Sequence, residues 1–231
     1  MDVPSRARDG AVVLSHNTKT GRSYNLPAVA TCPGATDACK SVCYGRRGRM
    51  VLNGAIVTQY NWGVVRADPW AILRMPMPED PDIAIRLYGN GDVASVAHAL
   101  ATFELCRTHA DRVFWMYTRS RYQVGRAIAR GGLPSNLVVF ASVDRDNYRA
   151  ALRWARRHGL PPAFMVFPGD DIPGVDDAFL RPVQGSDGLA RWPYTKVQRA
   201  AACQRCRYCW LTSKQVFALW RAGHGVRFLV H

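Results

Sequence analysis

Leu137-Val-Val-Phe-Ala141, an apolar run that continues into Ser142-Val143-Asp144, is the stretch that decides the fold. An amphipathic segment follows over residues 146–158, with small and apolar residues at helical spacing and arginines between them. Gly159 stands where such a helix would end, and Ala163-Phe-Met-Val-Phe167 is the next apolar run. Two strands that are apolar throughout and joined by a helix predict a parallel pair covered on both faces.

The same alternation extends along most of the chain. Strands are predicted at 24–26, 83–88, 113–117, 137–141, 163–167 and 226–230, and helices at 51–66, 93–109, 122–130, 146–158 and 214–222. This order predicts an α/β protein with a mostly parallel sheet, either doubly wound or a partial (β/α) barrel. Ligands gather at the carboxyl ends of the strands in both architectures. The candidate site segments are therefore 89–92, 118–120, 142–144 and 168–171.

The composition of the 231 residues indicates a folded and basic protein. Hydrophobic residues make up 48% of the chain and charged residues 21%, which excludes a disordered segment. Lys and Arg number 31 against 17 Asp and Glu, a formal charge of +14, and 27 of the 31 are Arg. This excess has two open explanations, a GC-rich genome and selection for binding nucleic acid or another anion.

We expect a cytoplasmic protein with no membrane partner. No apolar run reaches the roughly 18–20 residues that span a bilayer, and residues 1–10 lack the apolar core of a signal peptide. In a reducing compartment cysteine thiols stay free, and they bind metal or react.

Six of the seven cysteines form two triplets, with C-x6-C-x3-C and C-x2-C-x2-C spacing. They are Cys32, Cys39 and Cys43 in the first triplet, then Cys203, Cys206 and Cys209 in the second. Short spacings let several thiolates converge on one centre at little entropic cost, so both triplets predict metal ligation. The seventh, Cys106, lies on the apolar face of a predicted helix and is expected in the core.

The spacing alone leaves the kind of metal centre open. Zinc prefers four ligands, often two separated Cys pairs or Cys with His, and His224 or His231 would be available beside the second triplet. The C-x2-C-x2-C run is ferredoxin-like without its fourth Cys. Three thiolates would leave one iron of a 4Fe-4S cluster open to another ligand. We favour iron–sulfur over zinc, either as two clusters or as one cluster shared between the triplets.

The order of these motifs resembles the radical S-adenosylmethionine (SAM) superfamily, and in particular a phage-encoded radical-SAM-like iron–sulfur protein family. The matching pieces span residues 32–210 and are Cys32-Pro33, Cys39, Cys43-Tyr44, the run from Arg86 to Asp92, Tyr117-Thr118-Arg119, and the run from Cys203 to Trp210. The first triplet departs from the superfamily's usual C-x3-C-x2-C, and Asp92 stands where Glu is commoner.

The resemblance implies a partial (β/α) barrel of the TIM-barrel type over residues 1–195 and a C-terminal cysteine-rich appendage over 196–231 that packs on it. It implies that the first triplet binds a 4Fe-4S cluster and that the second binds an auxiliary one. The segment Asn90, Gly91 and Asp92 would bind the amino group of SAM, and Ser142 and Asp144 would meet its ribose. The implied activity is reductive cleavage of SAM and hydrogen abstraction from a substrate that the sequence does not identify.

A second hypothesis is a non-catalytic iron–sulfur or zinc protein that binds nucleic acid or a host protein through a basic surface. Arginines flank or interrupt both triplets, with aromatic residues between them. These arginines are Arg46, Arg47, Arg49, Arg205 and Arg207. Cations in these places would offset the charge of a cluster or contact phosphate groups.

Overall fold

One open sheet of seven strands forms the centre of the part of the chain that the computed structural model describes, residues 10–17, 20–48, 51, 53–170, 208–221 and 225–229. The strands are β1 (Leu14–Asn17), β2 (Gly21–Tyr24), β3 (Ile85–Leu87), β4 (Phe114–Thr118), β5 (Leu137–Val143), β6 (Pro162–Val166) and β7 (Val226–Leu229). β1 pairs antiparallel with β2, and each later strand is parallel to the one before it. The predicted α/β class with a mostly parallel sheet is confirmed.

The strands follow one another across the sheet in the order of the sequence. A doubly wound sheet reverses its strand order at a switch point, where its ligands bind, and no reversal occurs among the described strands. The described part of the sheet is therefore not doubly wound. Among the described residues β1 and β7 are edge strands and do not pair with each other, so the sheet is not closed.

Helices connect the parallel strands, as the sequence predicts. They are α1 (Asp37–Ser41), α2 (Asn53–Ala67), α3 (Val96–Thr108), α4 (Arg121–Gly131), α5 (Tyr148–His158) and α6 (Ser213–Arg221), with 3-10 turns at Tyr44–Arg46, Pro69–Arg74 and Tyr208–Trp210. The predicted ends differ by up to three residues. The helix predicted from Val93 begins at Val96, because the Ser95 side chain caps it by accepting a hydrogen bond from the His98 amide. Gly159 ends α5 with a left-handed φ of 63°.

Side chains alternate between the two faces of the sheet, so each strand serves two layers. On the outer face, apolar residues of β3, β4 and β5 pack with α3 and α4 in the largest core cluster. They include Ile85, Leu87, Phe114, Met116, Leu137 and Val139. On the inner face, a smaller cluster joins Trp115, Val138 and Phe140 to Tyr208 and Val216 of the C-terminal segment. The described part of that segment thus contacts the same sheet.

Several predictions concern residues outside the described part, among them those made for Arg49, Arg205, Arg207, His224 and His231. Cys203 and Cys206 belong to residues 171–207, for which no structure is described. The predicted appendage over 196–231 is therefore described only from Tyr208 onward, again with gaps. In the described ranges no helix is both long enough and apolar enough to cross a membrane.

A histidine is buried in the outer core between β2, β3 and α3. His98 is 2% exposed, and its Nε2 lies 3.5 Å from the Tyr24 hydroxyl and 3.3 Å from the Tyr88 hydroxyl. Burial lowers the pKa of His98 to about 4, because the charged imidazolium would lose its hydration.

The depressed pKa of His98 predicts a loss of stability in mild acid. Its contribution is complete above pH 6.5, the unfolded value, and is lost as the pH falls toward about 4. Between pH 7 and pH 4.5 we expect the wild type to lose about 2–3 kcal/mol more free energy of unfolding than His98→Gln. Urea titrations of both proteins at the two pH values measure this difference. Equal losses would contradict the assignment, since the carboxylates titrate alike in both proteins.

Candidate cysteine-lined cavity

A cavity of about 430 Å³ opens at the carboxyl edge of the sheet. One side is the cysteine loop, defined here as residues 28–47, and another is the loop that follows β3. Inner-face residues of five strands complete it. Those strand residues are Arg86, Tyr117, Ser142, Ala163, Met165 and Phe228.

All three cysteines of the first triplet line this one cavity. Cys32, Cys39 and Cys43 are free thiols, each partly buried. Among the described residues no three His, Cys, Asp or Glu side chains are gathered closely enough to hold a single metal ion. The triplet therefore shares a cavity without converging on one point.

The charged side chains with the largest effect on Cys32 and on Cys39 are of opposite sign. Burial, followed by the nearby Asp92 carboxylate, raises the pKa of Cys32 to about 12. Burial also raises the pKa of Cys39, and the Arg119 guanidinium partly offsets that rise. Arg119 is thus the cation that stabilises a thiolate at Cys39.

The cysteine loop is fixed to the ends of β3 and β5. The Thr36 hydroxyl caps α1 by accepting from the Cys39 amide at 3.0 Å, and it donates to Asp144 Oδ2 at 2.8 Å. The Ala38 amide donates to Asp146 Oδ2 at 2.7 Å. At Gly45 a side chain would collide with the amide of Asn90, so glycine permits this close approach. These contacts position Cys39 and Cys43 over the strand ends.

A strained turn precedes Cys32. Val29 has φ of 69°, a left-handed conformation that is unfavourable for a β-branched residue. The Cys32 amide donates to the Val29 carbonyl at 3.1 Å and so closes the turn. Strain of this kind persists only where surrounding contacts enforce it, and it is concentrated at functional sites.

Asp92 joins the loop after β3 to the loop after β4. Its Oδ1 accepts from the Val93 amide and the Thr118 hydroxyl, both at 2.7 Å. Its Oδ2 accepts from the Arg119 amide at 2.8 Å and the Ser120 amide at 3.2 Å. Burial raises the pKa of Asp92, and these hydrogen bonds oppose the rise. All of the carboxylate's strongest contacts are therefore made within the protein.

Asp144 lies beneath the cavity and does not line it. It is fully buried, and its Oδ2 pairs with Arg119 Nε at 2.9 Å. Its Oδ1 accepts from the Asp146 amide at 3.1 Å. Asp144 therefore orients both Thr36 of the cysteine loop and Arg119 of the cavity wall.

Arg86 stands on the floor of the cavity, on the inner face of β3 beside Trp115 of β4. Its guanidinium carbon lies 5.1 Å from the centroid of the Trp115 ring and 5.5 Å from that of Tyr117. Its buried Nε has no hydrogen-bond partner among the residues that the structure describes.

Cys209 is the described member of the second triplet. Its Sγ lies 3.1 Å from the hydroxyl of Tyr117, whose ring lines the cavity. One cysteine of the second triplet thus contacts a residue of the cavity wall.

The structure brings together most of the residues that the sequence singles out. The first triplet, Asn90, Gly91, Asp92 and Ser142 all line the cavity. Asp144 supports the cavity from below, and Cys106 is buried in the core, as expected.

Sequence reasoning named Arg86 and Tyr88 only within the run that carries the resemblance, and it missed Met165 and Phe228. All four line the same cavity. A signal was present for Arg86, which is the single charged residue in the apolar run 83–88. No comparable signal marks the other three, because apolar and aromatic residues in strands are ordinary core residues.

Fold and site together define an open, mostly parallel α/β protein with a thiol-lined cavity at the carboxyl edge of its parallel strands. A family model described as gene product 88 matches residues 6–212, and the chain belongs to this family. No curated protein and no solved structure matches the chain. Because the family's description names no activity, the function must be argued from the site.

Asp92→Asn should destabilise the protein by about 2–4 kcal/mol, since an amide nitrogen would face backbone N–H donors that lose their acceptor. Urea unfolding at pH 7 measures the effect. Asp37→Asn is the matched control, because the Asp37 side chain is 95% exposed, and it should change stability by less than about 0.5 kcal/mol. Equal stability of Asp92→Asn and the wild type would refute the role of this carboxylate.

Proposed function

We propose that this chain is an iron–sulfur protein of the radical SAM type, with a 4Fe-4S cluster held by Cys32, Cys39 and Cys43 and SAM bound beside it. The observation that carries the proposal is that the three cysteines of the loop after β2 all line one cavity at the carboxyl edge of the sheet, together with Asn90 and Asp92. A partial (β/α) barrel is the architecture proposed with it, supported by six parallel strands in sequential order.

The donor set and the space fit such a group. Thiolates are the ligands that iron–sulfur clusters require. The number of thiols in the triplet supports a cluster over zinc, since a structural zinc ion prefers four ligands and three thiolates suit a cluster with one open iron. A cavity of about 430 Å³ is within the range of small-molecule sites.

When bound, a 4Fe-4S cluster with one open iron supplies the electron for reductive cleavage of SAM. The protein's residues have separate tasks. Arg119 supplies positive charge beside the thiolates. Asn90 offers an amide to the polar end of SAM, while Gly91, with φ of 74°, holds its backbone against Leu26 and Thr31, where no side chain would fit. Ser142 presents a hydroxyl for the ribose, and Asp144 positions Arg119 and Thr36.

The second triplet is proposed to bind an auxiliary centre on the inner side of the sheet. Supporting this, Cys209 contacts the Tyr117 hydroxyl and packs with the inner-face cluster. A centre there would adjoin the cavity wall, where it would relay electrons or anchor a substrate.

Production of 5′-deoxyadenosine tests the enzymatic part of the proposal. The anaerobically purified and reconstituted full chain is incubated with dithionite and SAM, and the products are separated by liquid chromatography. We expect 5′-deoxyadenosine and methionine from the wild type and neither from Cys39→Ala. A reconstituted, reduced wild type that yields no product would exclude SAM cleavage.

Iron content tests the cluster itself. Cys39→Ala should lose the iron of the first cluster and the matching part of the absorbance near 400 nm, a wavelength region typical of iron–sulfur proteins, while the iron of the second triplet remains. Cys106→Ala is the matched control, because this thiol is fully buried in the core, and it should keep all iron. Loss of all iron in Cys39→Ala would indicate one cluster shared by both triplets, and unchanged iron would contradict ligation by Cys39.

The second candidate function is binding of nucleic acid by the outer surface of α5. Four exposed arginines lie on this helix, Arg149, Arg153, Arg156 and Arg157. Among the described residues none of them forms an ion pair. Clustered cations without acidic partners are the pattern that phosphate backbones attract.

Replacing Arg149, Arg153 and Arg156 together by Gln should weaken binding of a labelled single-stranded oligonucleotide by about tenfold in low salt. It should also make the slope of log K against log salt concentration about two units less steep. Fluorescence anisotropy measures both quantities. The control removes the same charge elsewhere, from the exposed Arg66, Arg74 and Arg107. If the control weakens binding equally, the effect is net charge and α5 is not an interface.

A further inference from the structure

Arg86 is the arginine of the cavity that has no acceptor within the described part of the chain. Of the other two arginines that line it, Arg119 is paired with Asp144, and Arg47 donates to the Ser41 carbonyl at 3.0 Å. Arg86 takes part in none of the ion pairs, and its buried Nε lacks a partner. A guanidinium that is half removed from water without an acceptor is costly for the protein, so its retention on this floor points to an external anion.

The surroundings of Arg86 make its charge more available to a ligand. Trp115 and Tyr117 hold the guanidinium by cation–π contacts, which leave its N–H groups without an acceptor. The neighbouring strands offer apolar surface to the same cavity, with Met165 on β6 and Phe228 on β7. The Phe228 ring is 45% exposed and lies at 5.3 Å from the Tyr117 ring. An exposed apolar side chain, Phe228, and a guanidinium without an acceptor, Arg86, thus line one cavity. Apolar surface with a few polar groups is the usual lining of a small-molecule binding site.

We propose that the cavity floor binds an organic anion, whose carboxylate or phosphate pairs with Arg86 and whose apolar body lies against Tyr117 and Phe228. Arg86 recognises the charged end through paired N–H donors, which suit the two oxygens of either group. The aromatic rings then select for an apolar or aromatic body. This site needs no bound cluster, and it assigns a substrate class to the cavity that the cysteine loop covers.

Isothermal titration of the full chain with phenyl phosphate and with phenylacetate tests the site, and benzyl alcohol serves as the neutral probe of similar shape. We expect saturable binding of at least one anion and much weaker binding of the alcohol. Arg86→Gln should weaken binding of the anion by about tenfold or more, since a loss of this size corresponds to one charge-assisted contact. Arg86→Lys should retain part of it, because lysine keeps the charge without the paired donors. Which anion binds more tightly identifies the charged group.

Arg66→Gln is the matched control, because it removes the same charge from the exposed surface of α2, and it should leave binding unchanged. Equal loss in Arg66→Gln and Arg86→Gln, equal binding of the alcohol, or no binding of either anion would overturn the proposal. Circular dichroism checks that both Arg86 variants fold.

The same titration with Cys39→Ala separates this site from the proposed cluster. Anion binding retained in Cys39→Ala supports a site that stands without the metal. If Arg86→Gln instead lowers the iron content and leaves anion binding intact, Arg86 serves only to balance the charge of the cluster, and the anion site is wrong.

Discussion

The Asp92 carboxylate holds together the edge of the sheet on which the site depends. It follows β3, and its four hydrogen bonds reach its own loop and the residues that follow β4. Arg119, whose amide is one of those donors, pairs through its side chain with Asp144 after β5. Asp144 in turn accepts from Thr36 of the cysteine loop. Two buried carboxylates thus connect three strand ends with the loop that carries the thiols. A buried charge is tolerated only when it is this well satisfied, so the geometry of the cavity and the stability of the fold rest on the same contacts.

The sequence predicts the layers of the fold well, since apolar strands and amphipathic helices each leave a periodic signal. Leu137 to Val143 and the helix ending at Gly159 need only that periodicity. It does not predict the antiparallel strand Leu14–Asn17, which is short and has three polar residues among its four. For the candidate site, the sequence predicts which residues belong to it but not which contacts they make with each other. Asp92 lines the cavity as a candidate site residue, but its hydrogen bonds to Thr118, Arg119 and Ser120 are not predicted, because a tertiary contact between two loops has no local pattern. The pairing of Thr36 with Asp144, over a hundred residues apart, is beyond sequence reasoning for the same reason.

Charge in this protein has both a general and a local meaning. Part of the formal charge of +14 lies on the exposed arginines of α5. In the cavity each arginine has a particular environment: Arg119 is paired with Asp144 beside Cys39, and Arg86 lies on aromatic rings. Negative groups are favoured in such a cavity, whether they are thiolates, a cluster or an anionic ligand. This common preference links the proposed cluster to the proposed anion without making either depend on the other.

The central claim is that Cys32, Cys39 and Cys43 hold a 4Fe-4S cluster with one iron open to SAM. Electron paramagnetic resonance of the anaerobic, dithionite-reduced full chain, recorded with and without SAM, tests it most directly. The account predicts a reduced-cluster signal of which one component changes shape on addition of SAM, and this SAM-responsive component is lost when the three cysteines are replaced by alanine. A wild-type signal that SAM leaves wholly unchanged, or a SAM response that survives the triple replacement, would contradict it.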